Sequence, residues 1–225
     1  MYKRQGRGHI VGVGIATEGW KGYFPIRHQG GGNLDEDIVL RWLRNTLASE
    51  KRDVIFHNAL YDVGWLRREG VHVGGKILDT IVAAPLVNEN RYSYSLDNLG
   101  EFYCNEKKDE SLLQNAALSF GVNPKSEMYK LPSKFVGPYG EQDAALTLKL
   151  WQKLKIEVQE QGLEKILDME CRLIPLLLEM RWRGLESMNK KLTMLVKNYR
   201  SKNKSYRLRL NVSMVQKLIY GLMHR

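Results

Sequence analysis

Cysteine is almost missing from this chain: Cys104 and Cys171 are the only two in 225 residues, and they form no CxxC unit. A disulfide framework and a cysteine zinc site are therefore excluded as organising devices. No run approaches the roughly 18 uninterrupted apolar residues of a membrane-spanning helix. The basic start, Met1 to Arg7, is not followed by the apolar stretch and cleavage site of a secretory signal. The expectation is a soluble, cytoplasmic protein with no membrane partner. Phosphate-loop patterns are also missing. Gly30, Gly31 and Gly32 cluster, but without the spacing of a GxGxxG or GxxxxGK[ST] loop.

Acidic residues are scarce at both ends. None occurs in the nine residues before Ile10, and residues 181–225 hold one, Glu186, against twelve Lys and Arg. The net charge of +10 thus belongs to the C-terminal fifth, the rest being close to neutral. Arg181, Arg183, Lys190, Lys191, Lys197 and Arg200 form a block able to hold a nucleic-acid backbone through counterion release. A solvated tail has the same composition.

What is present suits a globular domain, with 43% hydrophobic and 27% charged residues. His9–Thr17 and Gly19–Arg27 read as an antiparallel pair turning near Gly19–Gly22. Asn33 is a candidate N-cap for a helix from Leu34. Val54–Phe56 reads as a short strand, followed by a helix over Ala59–Glu69 stopped by Gly70. Leu78-Asp79-Thr80 reads as a helix start with Asp79 as cap, kinked or delayed by Pro85. Short helices are expected at Ser95–Tyr103 and Ser111–Phe120, and a loop from Gly121 to Tyr139 with Pro124, Pro132 and Pro138. A helix from Gln142 and another over Leu163–Arg181, ending at Gly184, complete the pattern. Alternating strands and helices make this an α/β chain with a helical extension.

Two carboxylates stand out by their flanks. Asn58-Ala-Leu-Tyr-Asp62 opens one helix and Tyr139-Gly-Glu-Gln-Asp143 is expected to open another. Residues four apart share a helix face. Taken singly, each aspartate is also a routine first-turn partner of a helix dipole. Together they could hold Mg²⁺, which accepts few protein carboxylates and completes its shell with water and phosphate oxygens. Two such ions about 3.5–4 Å apart activate water and stabilise a leaving oxygen.

In this order and with these flanks, the two runs resemble the second and third motifs of the 3′–5′ proofreading exonucleases of polymerase I-type (family A) DNA polymerases. Leu78–Ala84, Tyr94–Leu99, Ile10–Ala16, Tyr23–Ile26 and Leu173–Gly184 resemble further segments of that family, so the similarity spans about residues 9–195. The resemblance implies a ribonuclease H-like mixed sheet and a two-metal Mg²⁺ or Mn²⁺ site. It also implies that Asp143 ligates the ion carrying the attacking water, Asp62 serves the second ion, and Tyr139 orients the water. Asn58 would lie near the substrate terminus, and His57 would be a packing neighbour rather than a base. Single-stranded or primer-template DNA is the implied partner.

The family's first motif, Asp-x-Glu on a strand preceding Ile10–Ala16, has no counterpart here. The expectation is a sheet lacking its first strand and a two-metal site left incomplete, with residues 1–160 a partial exonuclease domain and 161–225 a helical linker and the basic start of a polymerase domain. Little activity is expected from the chain alone, with the missing strand or the polymerase part supplied by a separate chain. Three alternatives stay open: an exonuclease trimming RNA, a structural remnant with no activity, and a non-catalytic nucleic-acid-binding module using the basic segment, where Tyr199, Tyr206 and Tyr220 lie among Lys and Arg.

Overall fold

The computed structural model describes residues 8–202, with backbone alone for residues 184–193 and 195–202. Two strands, β1 (Gly12–Thr17) and β2 (Trp20–Pro25), pair antiparallel with Gly14 opposite Tyr23. The turn between them uses Gly19 at φ +76°, a left-handed position that a side chain would strain. Helix α1 (Glu36–Leu47) follows, and then β3 (Val54–Phe56), α2 (Ala59–Arg68), β4 (Ile77–Asp79) and α3 (Thr80–Val87). β3 and β4 pair parallel, Phe56 opposite Asp79, around the α2 crossover. Helices α4 (Leu96–Cys104) and α5 (Ser111–Phe120) precede α6 (Ser133–Glu160) and α7 (Glu164–Lys202). No described helix is long and apolar enough to cross a membrane.

The expected mixed sheet is found in two pieces. Among the described residues, β1–β2 and β3–β4 are separate two-stranded sheets. One apolar layer nevertheless joins them: Val13, Ile15, Phe24, Val54, Phe56 and Ile77 share a core with Val39, Leu40 and Leu43 of α1 and Val63 and Leu66 of α2. A second core gathers Ala83, Ala84, Leu99, Leu146, Leu150 and Leu154 from α3, α4 and α6. A third packs Leu113 and Ala117 of α5 on Leu131 and Val136. The described residues fall into two units divided between Leu178 and Glu179.

Several helix ends differ from expectation for identifiable reasons. Asn33 caps nothing. Its amide instead brackets His28, accepting from the His28 N–H and donating to the His28 carbonyl. Asp35 takes the N-cap role by accepting from Ile38 N–H at 2.9 Å. The stretch expected as loop to Tyr139 is helical from Ser133, because Pro132 sits just before the first turn, where its missing N–H costs nothing. Pro138 then lies inside α6, where apolar contacts of Val136 and Leu146 outweigh the loss of one helical bond. Helix α7 likewise runs past Gly184 to Lys202. Pro85 does not delay α3, which keeps its start at Thr80 and ends three residues after Ala84.

The junction between the β3–β4 pair and its helices is fastened by one side chain. Asp79 is 2% exposed, and its carboxylate accepts from the backbone N–H groups of Asn58 (2.9 Å), Ala59 (2.7 Å) and Ile81 (3.0 Å). It therefore caps α3 and also holds the start of α2. Replacing it by Ala strands three inward donors, and the expected loss of stability is about 3 kcal/mol or more. Urea unfolding should place Asp79→Ala far below wild type and Asp79→Asn between them.

Candidate active site

Asn58, Ala59 and Asp62 come to the site from the β3–α2 junction. Asn58 is left-handed at φ 74°, a conformation that Asn tolerates better than most residues, and its side chain makes no capping bond. Because Asn58 is outside the helical frame, Asn58 and Asp62 do not share a helix face as their spacing predicts. Asp62 lies in the first turn of α2. Its carboxyl is pushed up to about 7, chiefly by burial and then by the charges of Asp79 and Asp143. Asp62 and Asp143, far apart in sequence, are thus electrostatic neighbours.

Tyr139 and Asp143 arrive from the interior of α6 rather than from its opening. Burial pushes the Asp143 carboxyl up, and nearby Lys108 and then the Tyr139 phenol draw it partly back. Burial, reinforced by Asp143, moves the Tyr139 phenol up to about 12, so it donates its proton at neutral pH. The residue between them is set by steric fit. A Cβ on Gly14 would fall 2.4 Å from the Gly140 carbonyl oxygen, and one on Gly140 would fall 2.7 Å from the Tyr23 ring. β1 and α6 therefore touch backbone to backbone at the Tyr139–Asp143 turn. Buried His28 secures the approach to α6, with Nδ1 2.9 Å from the Leu131 carbonyl oxygen and Nε2 2.8 Å from the Tyr23 hydroxyl. Donation from Nδ1 to the carbonyl leaves Nε2 to accept from Tyr23.

Lys108 is the member that sequence reading missed. Its Nζ lies 2.9 Å from Asp143 Oδ1 and 3.0 Å from Asp97 Oδ1, with the side chain 7% exposed. Burial alone would lower its pKa, but the two carboxylates raise it above the usual lysine value. The contact with Asp143 is an ion pair by distance whose alignment is too oblique for a good hydrogen bond, so buried Oδ1 lacks a well-placed donor. In the sequence, Glu106-Lys-Lys-Asp-Glu110 looks like a mixed-charge solvated loop, and no spacing marks Lys108. His57 behaves as expected of a packing neighbour: Nδ1 is 2.8 Å from Thr80 Oγ1, and burial lowers its pKa.

The donor chemistry fits one hard cation. Asp62 carries a carboxyl whose charge is opposed by its neighbours, Asp143 presents a buried oxygen without an aligned donor, and one or two carboxylates suffice for Mg²⁺. Among the described residues no group of three or more His, Cys, Asp or Glu is placed to hold a metal ion. Of the basic residues singled out, all six lie within α7. Arg183 Nε pairs with Glu179 at 2.5 Å, while the side chains of Lys190, Lys191, Lys197 and Arg200 are outside the described residues, as is everything beyond Lys202.

The Asp62 shift has a direct consequence for stability. A carboxyl near 3.9 in the unfolded chain and near 7 when folded adds stability that is complete below about pH 4 and disappears as pH rises through 7. In metal-free buffer, melting curves at pH 5 and pH 8 should show Asp62→Asn gaining on wild type at the higher pH, by up to about 2.5 kcal/mol. An equal gap at both pH values would contradict this.

Residues 3–159 match the family model described as 3′-5′ exonuclease. The chain is 37% identical over 185 residues to a DNA-directed DNA polymerase of Pseudomonas phage M6, covering 81% of this chain and 28% of that protein. It is 31% identical over 182 residues to DNA polymerase DpoZ of Salmonella phage PMBT28, with 77% and 28% covered. DNA polymerase I of Pseudomonas aeruginosa is 26% identical over 185 residues, with 78% and 20% covered. The chain thus spans under a third of the length of these relatives. A solved structure titled "apo form of the nuclease" superposes with a TM-score of 0.62 at 16% identity, covering 81% of this chain and 80% of the other, and shows the shared fold. The small sheets and their helices are related to the ribonuclease H-like exonucleases, and the chain belongs to the 3′–5′ exonuclease family of polymerase I-type (family A) DNA polymerases.

Proposed function

We propose that the chain carries the residues of a proofreading exonuclease that hydrolyses 3′-terminal nucleotides from single-stranded DNA. Tyr139 and Asp143, one turn apart on α6 and electrostatic neighbours of each other and, through Asp143, of Asp62, carry this reading. Asp62 and Asp143 would hold the divalent cation. Bound there, such an ion polarises a phosphoryl oxygen and lowers the pKa of its water. The Tyr139 hydroxyl, steadied by Asp143, orients the attacking water. The P–O3′ bond breaks as the water oxygen bonds to phosphorus, leaving a shortened strand and a 5′-mononucleotide. Asn58, whose side chain is not spent on capping, would meet the terminal nucleotide.

The same reading makes the chain weak on its own, because two carboxylates support one ion and the two-ion scheme needs ligands for both. The division into an exonuclease part (1–160) and a linker with the basic start of a polymerase part (161–225) belongs to this proposal, as does contact of Arg181, Arg183, Lys190, Lys191, Lys197 and Arg200 with the DNA backbone.

Release of 3′-terminal nucleotides from labelled single-stranded DNA with Mn²⁺ tests it. Slow release is expected, lost in Asp143→Ala and lowered about 10²-fold in Tyr139→Phe. Cleavage indifferent to Asp143→Ala overturns the catalytic assignment. No cleavage together with steeply salt-dependent DNA binding would favour the non-catalytic module.

A further inference from the structure

The segment joining α4 to α5 is clasped along α6 at three successive points. Glu106 pairs with Lys149, the Asp109 N–H donates to Gln142 Oε1 at 3.1 Å, and Lys108 reaches Asp143. This clasp delivers a nearly buried ammonium into the candidate site, where it lies between two carboxylates of different accessibility. The Asp143 side chain is 30% exposed and that of Asp97, in the first turn of α4, is 54% exposed. A third neighbour, the Tyr139 ring, has its centroid 5.1 Å from Nζ.

We propose that Lys108 is a resident counter-ion of the site, occupying the cation position at Asp143 until a divalent ion displaces it onto Asp97. This rests on the reading that Asp143 takes a divalent cation. Three observations carry it. The ammonium sits at ion-pair distance from the very oxygen that lacks an aligned donor, so it neutralises Asp143 without saturating it. Asp97 offers an alternative partner at the same distance, so moving Nζ away from Asp143 does not strand a buried charge. And a positive charge 2.9 Å from Asp143 Oδ1 opposes a divalent ion at that oxygen directly. Lys108 is therefore a positioning residue: it holds the Asp143 carboxylate in place beside Tyr139 while no metal is bound, and it sets how much metal is required.

The test is Mn²⁺ binding to the full chain, followed by the electron paramagnetic resonance of free Mn²⁺ at low ionic strength without DNA. Lys108→Met is expected to bind at least tenfold more tightly than wild type, and Lys108→Arg to stay close to wild type. Asp97→Asn, an exposed change that spares the core, is expected to bind several-fold more weakly, because Lys108 then has Asp143 as its sole carboxylate. A merely structural lysine would alter melting temperature in these variants but not this ordering of affinities. Equal Mn²⁺ affinity in wild type, Lys108→Met and Asp97→Asn, with Asp143→Asn weaker than all three, overturns the counter-ion role and leaves the cation site standing. No Mn²⁺ binding in any of them, Lys108→Met included, overturns both. Should Lys108→Met fail to fold by circular dichroism, the Asp97→Asn comparison decides alone.

Discussion

Everything at the candidate site depends on where the Asp79 carboxylate is placed. It ends β4, lies out of solvent, and gathers three backbone N–H groups from the starts of two helices. Burial pushes its pKa up, and the three donors offset part of that rise. This one group fixes how α2 leaves β3 and so where Asp62 stands relative to α6. It also keeps a negative charge beneath Asp62, one reason the Asp62 carboxyl is reluctant to ionise. A structural cap and the electrostatics of the site are thus the same interaction.

Much of the local architecture was legible because it rests on short-range signals. Asp79 and Ser95 are caps whose side-chain acceptors meet the following N–H groups, Gly70 ends α2 at positive φ, and Val54–Phe56 is an apolar strand. The failures are long-range. Prolines at 132 and 138 look like loop residues until one sees that the first precedes a helix and the second is outweighed by burial of its neighbours. Asn33 has the right residue type for a cap but is claimed by the backbone of His28.

The site divides in the same way. Asp62, Tyr139 and Asp143 could be read from their flanks, because motif order survives in the sequence. Lys108 could not, since its role depends on a loop being pinned to α6 by Glu106 and Asp109, and its neighbours are all charged. Neither could the separation of the sheet into two pairs be read, because the strands share one apolar layer and differ in their hydrogen bonding alone. The six basic residues singled out fall on the backbone of one long helix.

The contact of Gly14 with Gly140 has a mechanical meaning. With no side chain to act as a cushion, strand and helix are geared together at the turn that carries Tyr139 and Asp143. A shift or twist of β1 is passed on undamped to the hydroxyl and the carboxylate. The seating of the β1–β2 ribbon thereby sets where the backbone bearing those two side chains stands.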